Sequence, residues 1–236
     1  KDKLTMRVCL VLSRWLREEC GGLWFPQELA KRVRDFAAAL IDSLILTQME
    51  MEDLCERASE KCGVDLGKST LLFRGSDDGF AAKTFHAKCD GKGETLFVAE
   101  TDYGHVVGGF TTLPWTSPRS YEYKTDSGAS LFVSRVSKSK KPLYAAITLP
   151  VILKHKGEGK QVYHYEEYGP TFGYGIDLQI SSNCNANTDS YCNCTGAKAF
   201  TNVCDGVPLH PSAIVGGTGK GLARFRVVNY EVFLVK

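Results

Sequence analysis

The chain has 236 residues, enough for one large domain, or one domain with an appendage, and either can bury a substantial core. Twenty-nine basic and 27 acidic residues leave a formal charge of +2, which gives no broad electrostatic case for nucleic acid or an anionic membrane. The longest apolar runs, such as Val8 to Leu12, fall far short of the roughly 20 residues that a membrane-spanning helix needs. Arg7 and Arg14 interrupt what would be the apolar segment of a signal peptide, and a chain starting on Lys1 is expected to be a piece of a longer protein. Nine cysteines, an odd number, point to free thiols in a reducing compartment and hence to the cytoplasm. On that route the sequon at Asn193, Cys194 and Thr195 is idle.

In chain order, residues 3 to 20 suit a helix stopped by Gly21 and Gly22. A second helix opens at Pro26, and Leu29, Val33, Phe36, Leu40 and Leu44 line its apolar face. Its basic side is expected to be solvated. Thr47 and Glu50 form a capping-box pattern for a third helix through Leu54, Ala58 and Cys62. These helices are expected to pack as structure, with a partner-binding or oligomerising role as the alternative.

Residues 71 to 115 read as strand, helix, strand, strand. Leu71 to Phe73 is a short apolar run, and Ser76, Asp77 and Asp78 offer an N-cap for a helix over residues 80 to 88. Leu96 and Val98 begin a hairpin that turns at residues 102 to 104 and returns through residues 106 to 112. Residues 115 to 125 read as a surface loop. Strands are expected over residues 130–136, 143–149 and 161–165, with basic turns at 137–141 and 154–160. Gly173 and Gly175 serve backbone geometry ahead of a short strand after Asp177, and residues 181 to 204 read as a long polar loop. The last run, residues 224 to 235, shifts its apolar parity between Val227 and Val228, which signals a bulge. About eight strands follow from this count, enough for two packed antiparallel sheets.

The motifs that might carry chemistry mostly fail on spacing. Gly63, Gly67, Lys68 and Ser69 have one residue too few between the glycines for a phosphate-binding loop, and Ile214 occupies the first glycine position of the segment ending at Lys220. No cofactor is expected. Cys184, Cys192, Cys194 and Cys204 lack the paired spacing of a zinc site, so free thiols or a disulfide are expected there instead. His86 and Cys89 share a helix face and make a Cys-His nucleophile pair conceivable, but no orienting group or oxyanion donor accompanies them.

The segments LLFRGSDDGF (71 to 80), FHAKCDGKG (85 to 93), VVGGFTTLPWTS (106 to 117), GPTFGYGIDLQI (169 to 180) and YEVFLV (230 to 235) closely resemble the TLDc domain of the oxidation-resistance proteins. The resemblance covers residues 68 to 236 and implies an α+β fold, an antiparallel two-sheet β-sandwich flanked by helices. The expected domains are an N-terminal helical segment over 1–66 and the TLDc domain over 67–236. In relatives, a serine near the first glycine-rich word and the closing glutamate have been entertained as an active pair. Gly79 and Glu231 match here, but the serine position is Ala81, so no enzyme is expected. The resemblance implies instead a non-catalytic regulatory module that associates with peripheral subunits of the vacuolar proton-pumping ATPase and protects against oxidative damage. Gly79, Gly108, Gly173 and Glu231 are its expected partner-binding positions. The alternatives are an interaction role in a cytoskeletal or ciliary assembly, or a thiol-dependent antioxidant enzyme centred on Cys89.

Overall fold

The computed structural model describes residues 42–62, 69–137, 149–157, 159–193, 199–200, 203–204, 207–217 and 221–235. The expected helix over 3–20, most of the second helix and the strand over 143–149 lie outside these residues. Chain contacts divide the molecule into residues 1–42 and 43–236, so the expected boundary at 66/67 falls inside the second unit.

Within that unit the capping box forms as its spacing predicts. The Thr47 backbone N–H donates to Glu50 Oε2 at 2.9 Å, the Glu50 N–H donates to Thr47 Oγ1 at 3.2 Å, and α1 (Gln48–Cys62) follows. Leu44, read as the last apolar position of the preceding helix, lies instead in a bent link. Ser43 imposes that bend by accepting the Ile45 and Leu46 N–H groups on Oγ at 3.1 and 2.9 Å.

The first sheet joins β1 (Ser69–Arg74), β14 (Val227–Val235), β2 (Thr95–Thr101), β3 (Val106–Thr111), β5 (Ser130–Arg135) and β6 (Val151–Lys154), in that spatial order and antiparallel throughout. The second runs β13 (Ala223–Phe225), β10 (Ser190–Cys192), β9 (Leu178–Ser181), β8 (Tyr168–Phe172), β7 (Val162–His164) and β4 (Glu122–Lys124). The short pair β11 (Val203–Cys204) and β12 (Val207–Pro208) and the helix α4 (Pro211–Val215) complete the order. Three short strands, β4, β10 and β11, occupy stretches expected to be loop.

The final strand run is the clearest departure from the expected pattern. It is two strands, not one: β13 ends the second sheet and β14 sits inside the first, with the chain crossing between layers at Arg226. The parity shift at Val227 and Val228 is therefore a sheet change, and the register with β2 also slips between Val227 and Asn229, as a bulge does. The expected helix over 80–88 forms but starts two residues late, and the residues expected to cap it make a separate turn. One turn, α2 (Gly75–Asp78), stops at Gly79, whose φ of +90° no side-chain-bearing residue adopts readily, and α3 begins only at Ala82 and runs to Cys89. Asp78 consequently caps nothing on α3; it accepts the Arg74 N–H at 3.0 Å and the Lys88 ammonium at 2.6 Å.

The two sheets enclose one core. Phe97 of β2 stacks on Phe172 of β8 with ring centroids 5.5 Å apart, and Trp115, Phe85, Phe73 and Tyr230 continue the aromatic layer under α3. Each such ring, fully buried, contributes on the order of 2–3 kcal/mol. The Trp115 Nε1–H donates to Thr95 Oγ1 at 2.8 Å, so the indole is buried without a stranded donor. The outer face of the first sheet is closed by the 43–47 link and by α1, which packs on β5 and β6. Arg135 clamps that helix with both arms of its guanidinium on Glu50, at 2.7 and 2.6 Å. Burial opposes the Glu50 charge, but the Arg135 and Thr47 hydrogen bonds outweigh it and hold the carboxyl below its usual range.

Candidate functional site

Glu231 and Gly108 are brought to one place. Arg74, Glu231, Val98, Gly108, Phe132 and Ile152 form a single cross-strand row through β1, β14, β2, β3, β5 and β6. Their sequence neighbours Phe73, Val232, Phe97, Val107, Leu131 and Val133 lie in the core, so the alternation of β-strands puts this row on the opposite, outer face. Glu231 is 0% exposed there. Its Oε1 accepts Arg74 Nε–H at 2.7 Å and the Leu44 N–H at 2.9 Å, and its Oε2 accepts the Ser43 hydroxyl at 2.6 Å. This carboxylate is a latch that ties the 43–47 link to the middle of the sheet, and all three of its partners donate. At Gly108, a Cβ would meet the Phe97 carbonyl oxygen and the Phe132 ring, which lies where a side chain would stand.

The other two expected positions lie elsewhere. Gly79 is at the surface, with nothing within 4 Å of an added Cβ, so only its backbone conformation demands glycine. Gly173 has φ +93° and is buried; a Cβ there would come within 2.6 Å of Asp177 Cγ. Asp177 in turn accepts the Ala199 and Phe200 N–H groups on Oδ2 at 3.3 and 3.2 Å. Three of the four expected partner-binding positions, Gly108, Gly173 and Glu231, thus act inside the fold, and only Gly79 is presented to solvent.

The sulfur chemistry is muted. Cys89 is 0% exposed, and burial, reinforced by the Asp90 charge, pushes its thiol up to about 12. His86 is committed elsewhere: Nδ1 meets Asp90 Oδ1 at 2.8 Å, and Nε2 donates to the carbonyl oxygens of Tyr165 and Tyr168 at 3.0 and 2.9 Å. Those bonds pin α3 to the turn between β7 and β8. The loop thiols Cys184 and Cys192, expected as free thiols or a disulfide in a polar loop, are buried core residues, and burial pushes Cys184 up to about 12 as well. Cys194 lies outside the described residues. A chromogenic disulfide reagent at pH 8 is accordingly expected to leave Cys89 and Cys184 unlabelled for hours in the native protein and to label both at once in denaturant. Rapid native labelling of Cys89, mapped by mass spectrometry, would contradict this.

His164 is buried against Trp115, ring centroids 5.3 Å apart, and its Nδ1 accepts the Thr116 N–H at 3.2 Å, which places the ring proton on Nε2. Burial first and the Lys124 charge second push its pKa down to about 4 from 6.5. Above about pH 6.5 the ring is neutral whether folded or unfolded. Between there and about 4 only the unfolded chain takes up the proton, so stability falls with falling pH and levels off below that window, by about 3 kcal/mol in all. Urea midpoints at pH 7 and 4.5 are expected to differ by less in His164→Gln, which retains the acceptor without the titration; an identical difference would refute the assignment.

The outer face of the second sheet carries features that sequence reading missed. Tyr121, Tyr123, Tyr163, Tyr168 and Tyr174 form a continuous aromatic surface, with ring centroids 5.0 to 6.2 Å apart. Lys160 Nζ lies 4.3 Å from the Tyr174 centroid and 5.7 Å from that of Tyr123. Two open grooves border this surface beside α3. One, of about 560 Å³, is lined by His86, Asp90, Ser117 and Glu166. The other, of about 690 Å³, is lined by Lys83, Glu166, Glu167, Tyr168, Gln179 and Tyr191. The i, i+2 spacing of Tyr121 with Tyr123 and of Tyr163 with Tyr165 could have revealed part of this surface. The grooves needed the register of four strands.

Among the described residues this architecture, two six-stranded antiparallel sheets around one core with few helices, defines an α+β sandwich. The family model for the TLDc domain matches residues 40–236, and the chain belongs to that family, which is generally linked to oxidation resistance. No curated protein matches the chain. The match begins at residue 40, and so takes in the link that latches onto Glu231.

Proposed function

We propose that the chain is a non-catalytic TLDc module that recognises a protein partner, with peripheral subunits of the vacuolar proton-pumping ATPase as that partner. Its protection against oxidative damage then runs through the partner and not through chemistry of its own. The observation that supports this reading is the state of the three groups that chemistry would require. Ala81 has no nucleophile, Glu231 is sealed by three donors, and Cys89 is a buried thiol with its pKa near 12. What the surface offers instead is aromatic area and shallow grooves, the features on which partner recognition draws. Among the described residues no helix is long and apolar enough to cross a membrane. The reading places the protein in the cytoplasm, recruited to an organelle membrane by its partner.

The test is an affinity pull-down from host cytosol with the intact chain, read by mass spectrometry, beside a peroxide-consumption assay of the pure protein. Peripheral ATPase subunits in the eluate and no turnover of peroxide are expected. Recovery of tubulin or other filament proteins without ATPase subunits would overturn the choice of partner, and catalytic consumption of peroxide would overturn the non-catalytic reading. Gly108→Arg, which looks from sequence like a binding-face variant, is unsuitable as the control because it attacks the sheet interior.

A further inference from the structure

The groove beside α3 contains a polar atom that the folded chain does not satisfy. Gln179 is 4% exposed, and its Oε1 is buried without a hydrogen-bond partner. A buried acceptor with no donor lowers stability unless something supplies the donor. Its position is defined by the sheet: Gln179 pairs with Thr171 on β8 and Tyr191 on β10, and Tyr191 pairs with Arg224 on β13, so these residues form one row across the strands. Leu178 and Ile180 enter the core, so Gln179 faces the other way, into the groove wall.

The charges and rings around it indicate what the missing donor belongs to. Asp189 and Arg224 line the same groove and pair with each other at 3.6 Å, which leaves Glu166 and Glu167 against Lys83 and makes the groove acidic by one charge. Tyr168 and Tyr191 supply aromatic walls. Farther along the same face Lys160 already rests on Tyr174 and Tyr123, so these tyrosine rings accept a cation. A guanidinium answers all three conditions: it offers N–H donors in a plane, stacks on tyrosine and carries the balancing charge. An ammonium lacks the plane.

We propose that this groove binds an arginine side chain presented by an extended segment of a protein partner, the guanidinium donating to Gln179 Oε1 while Tyr168 and Tyr191 flank it and Glu166 and Glu167 balance its charge. The inference deepens the interaction-module reading by specifying a partner chemistry, and it does not depend on which assembly supplies the arginine.

The experiment is an amide and side-chain-amide NMR titration of the full chain with a blocked Gly-Ser-Arg-Ser-Gly peptide, beside the same peptide carrying citrulline, a neutral isostere, in place of arginine. The arginine peptide is expected to shift Gln179, Ser181 and Tyr191 and to saturate at about millimolar concentration, with citrulline at least about tenfold weaker. Gln179→Met is expected to weaken arginine binding about tenfold while its melting temperature holds or rises, because the substitution removes the unsatisfied atom. Should that variant fail to fold, the exposed pair Glu166→Gln and Glu167→Gln tests the same groove and is expected to weaken binding and flatten its salt dependence. Equal binding of citrulline, shifts confined to residues outside the groove, unchanged binding in the variants, or no shifts at about 10 mM peptide would each overturn the proposal. A positive titration with no ATPase subunits in the pull-down would refute only the choice of partner.

Discussion

Replacing Glu231 with alanine is expected to lower the unfolding free energy by about 3–5 kcal/mol, the cost of removing one member of a buried ion pair. Arg74, whose side chain is 9% exposed, would lose its 2.7 Å contact to the carboxylate and retain the 3.3 Å contact to Asp77. The Ser43 hydroxyl and the Leu44 N–H would lose their acceptor as well. Domains of this size have total stabilities of about 5–15 kcal/mol, so the variant should be marginal at 37 °C. Ser43→Ala removes one charge-assisted hydrogen bond, together with the acceptor of the Ile45 and Leu46 N–H groups, and is expected to cost about 1.5–3 kcal/mol. In the Glu231→Ala background it should cost less, because the contact between the two residues is already gone and only the acceptor of the Ile45 and Leu46 N–H groups is lost. Urea unfolding of the four proteins measures the coupling. A Glu231→Ala loss below about 1 kcal/mol would show that the latch is ornamental and would reopen a surface or catalytic role for the carboxylate.

Gly108→Ala is expected to be nearly as damaging, at about 3 kcal/mol or more, and Gly108→Arg to yield no folded protein. The added methyl would meet a backbone carbonyl oxygen, that of Phe97, which is held in the ladder between β2 and β3 and cannot step aside. Phe132 could swing away only by vacating its place on the covered outer face, where it is 2% exposed. A combined Gly108→Ala and Phe132→Leu variant relieves the ring but not the carbonyl, so only part of the loss should return. Thermal unfolding followed by circular dichroism decides it: full recovery in the double variant would assign the glycine to the ring alone.

Much of the local structure was legible in the chain itself. The capping box at Thr47 and Glu50, the hairpin about residues 102–104 and the strand opening at Ser130 all depend on contacts a few residues apart, which spacing and turn chemistry reveal. The division of the last strand run between two sheets was legible only as a parity shift. Both readings, a bulge within one strand and a change of sheet, produce the same alternation, and the contacts that separate them lie far away in sequence: Ala223 opposite Cys192, Tyr230 opposite Ala99. The break at Gly79 was missed because the acidic cluster before it imitates an N-cap, while the glycine's positive φ is imposed by the chain on both sides.

By itself, then, the sequence determined the class of fold, the family words that carry it, and the loss of a nucleophile at Ala81, since each of these resides in residue identity and short spacing. Only the tertiary structure decided what Glu231, Gly108, Cys89 and Gln179 do. Burial and hydrogen-bond partnership are set by chain segments 79 to 188 residues away, as between His86 and Tyr165 or Ser43 and Glu231, and one-dimensional pattern has no access to them. A carboxylate read as a partner contact becomes a latch once Arg74, Ser43 and Leu44 converge on it. A glutamine with no signal in its neighbours becomes a candidate receptor once the register of four strands leaves its oxygen without a donor.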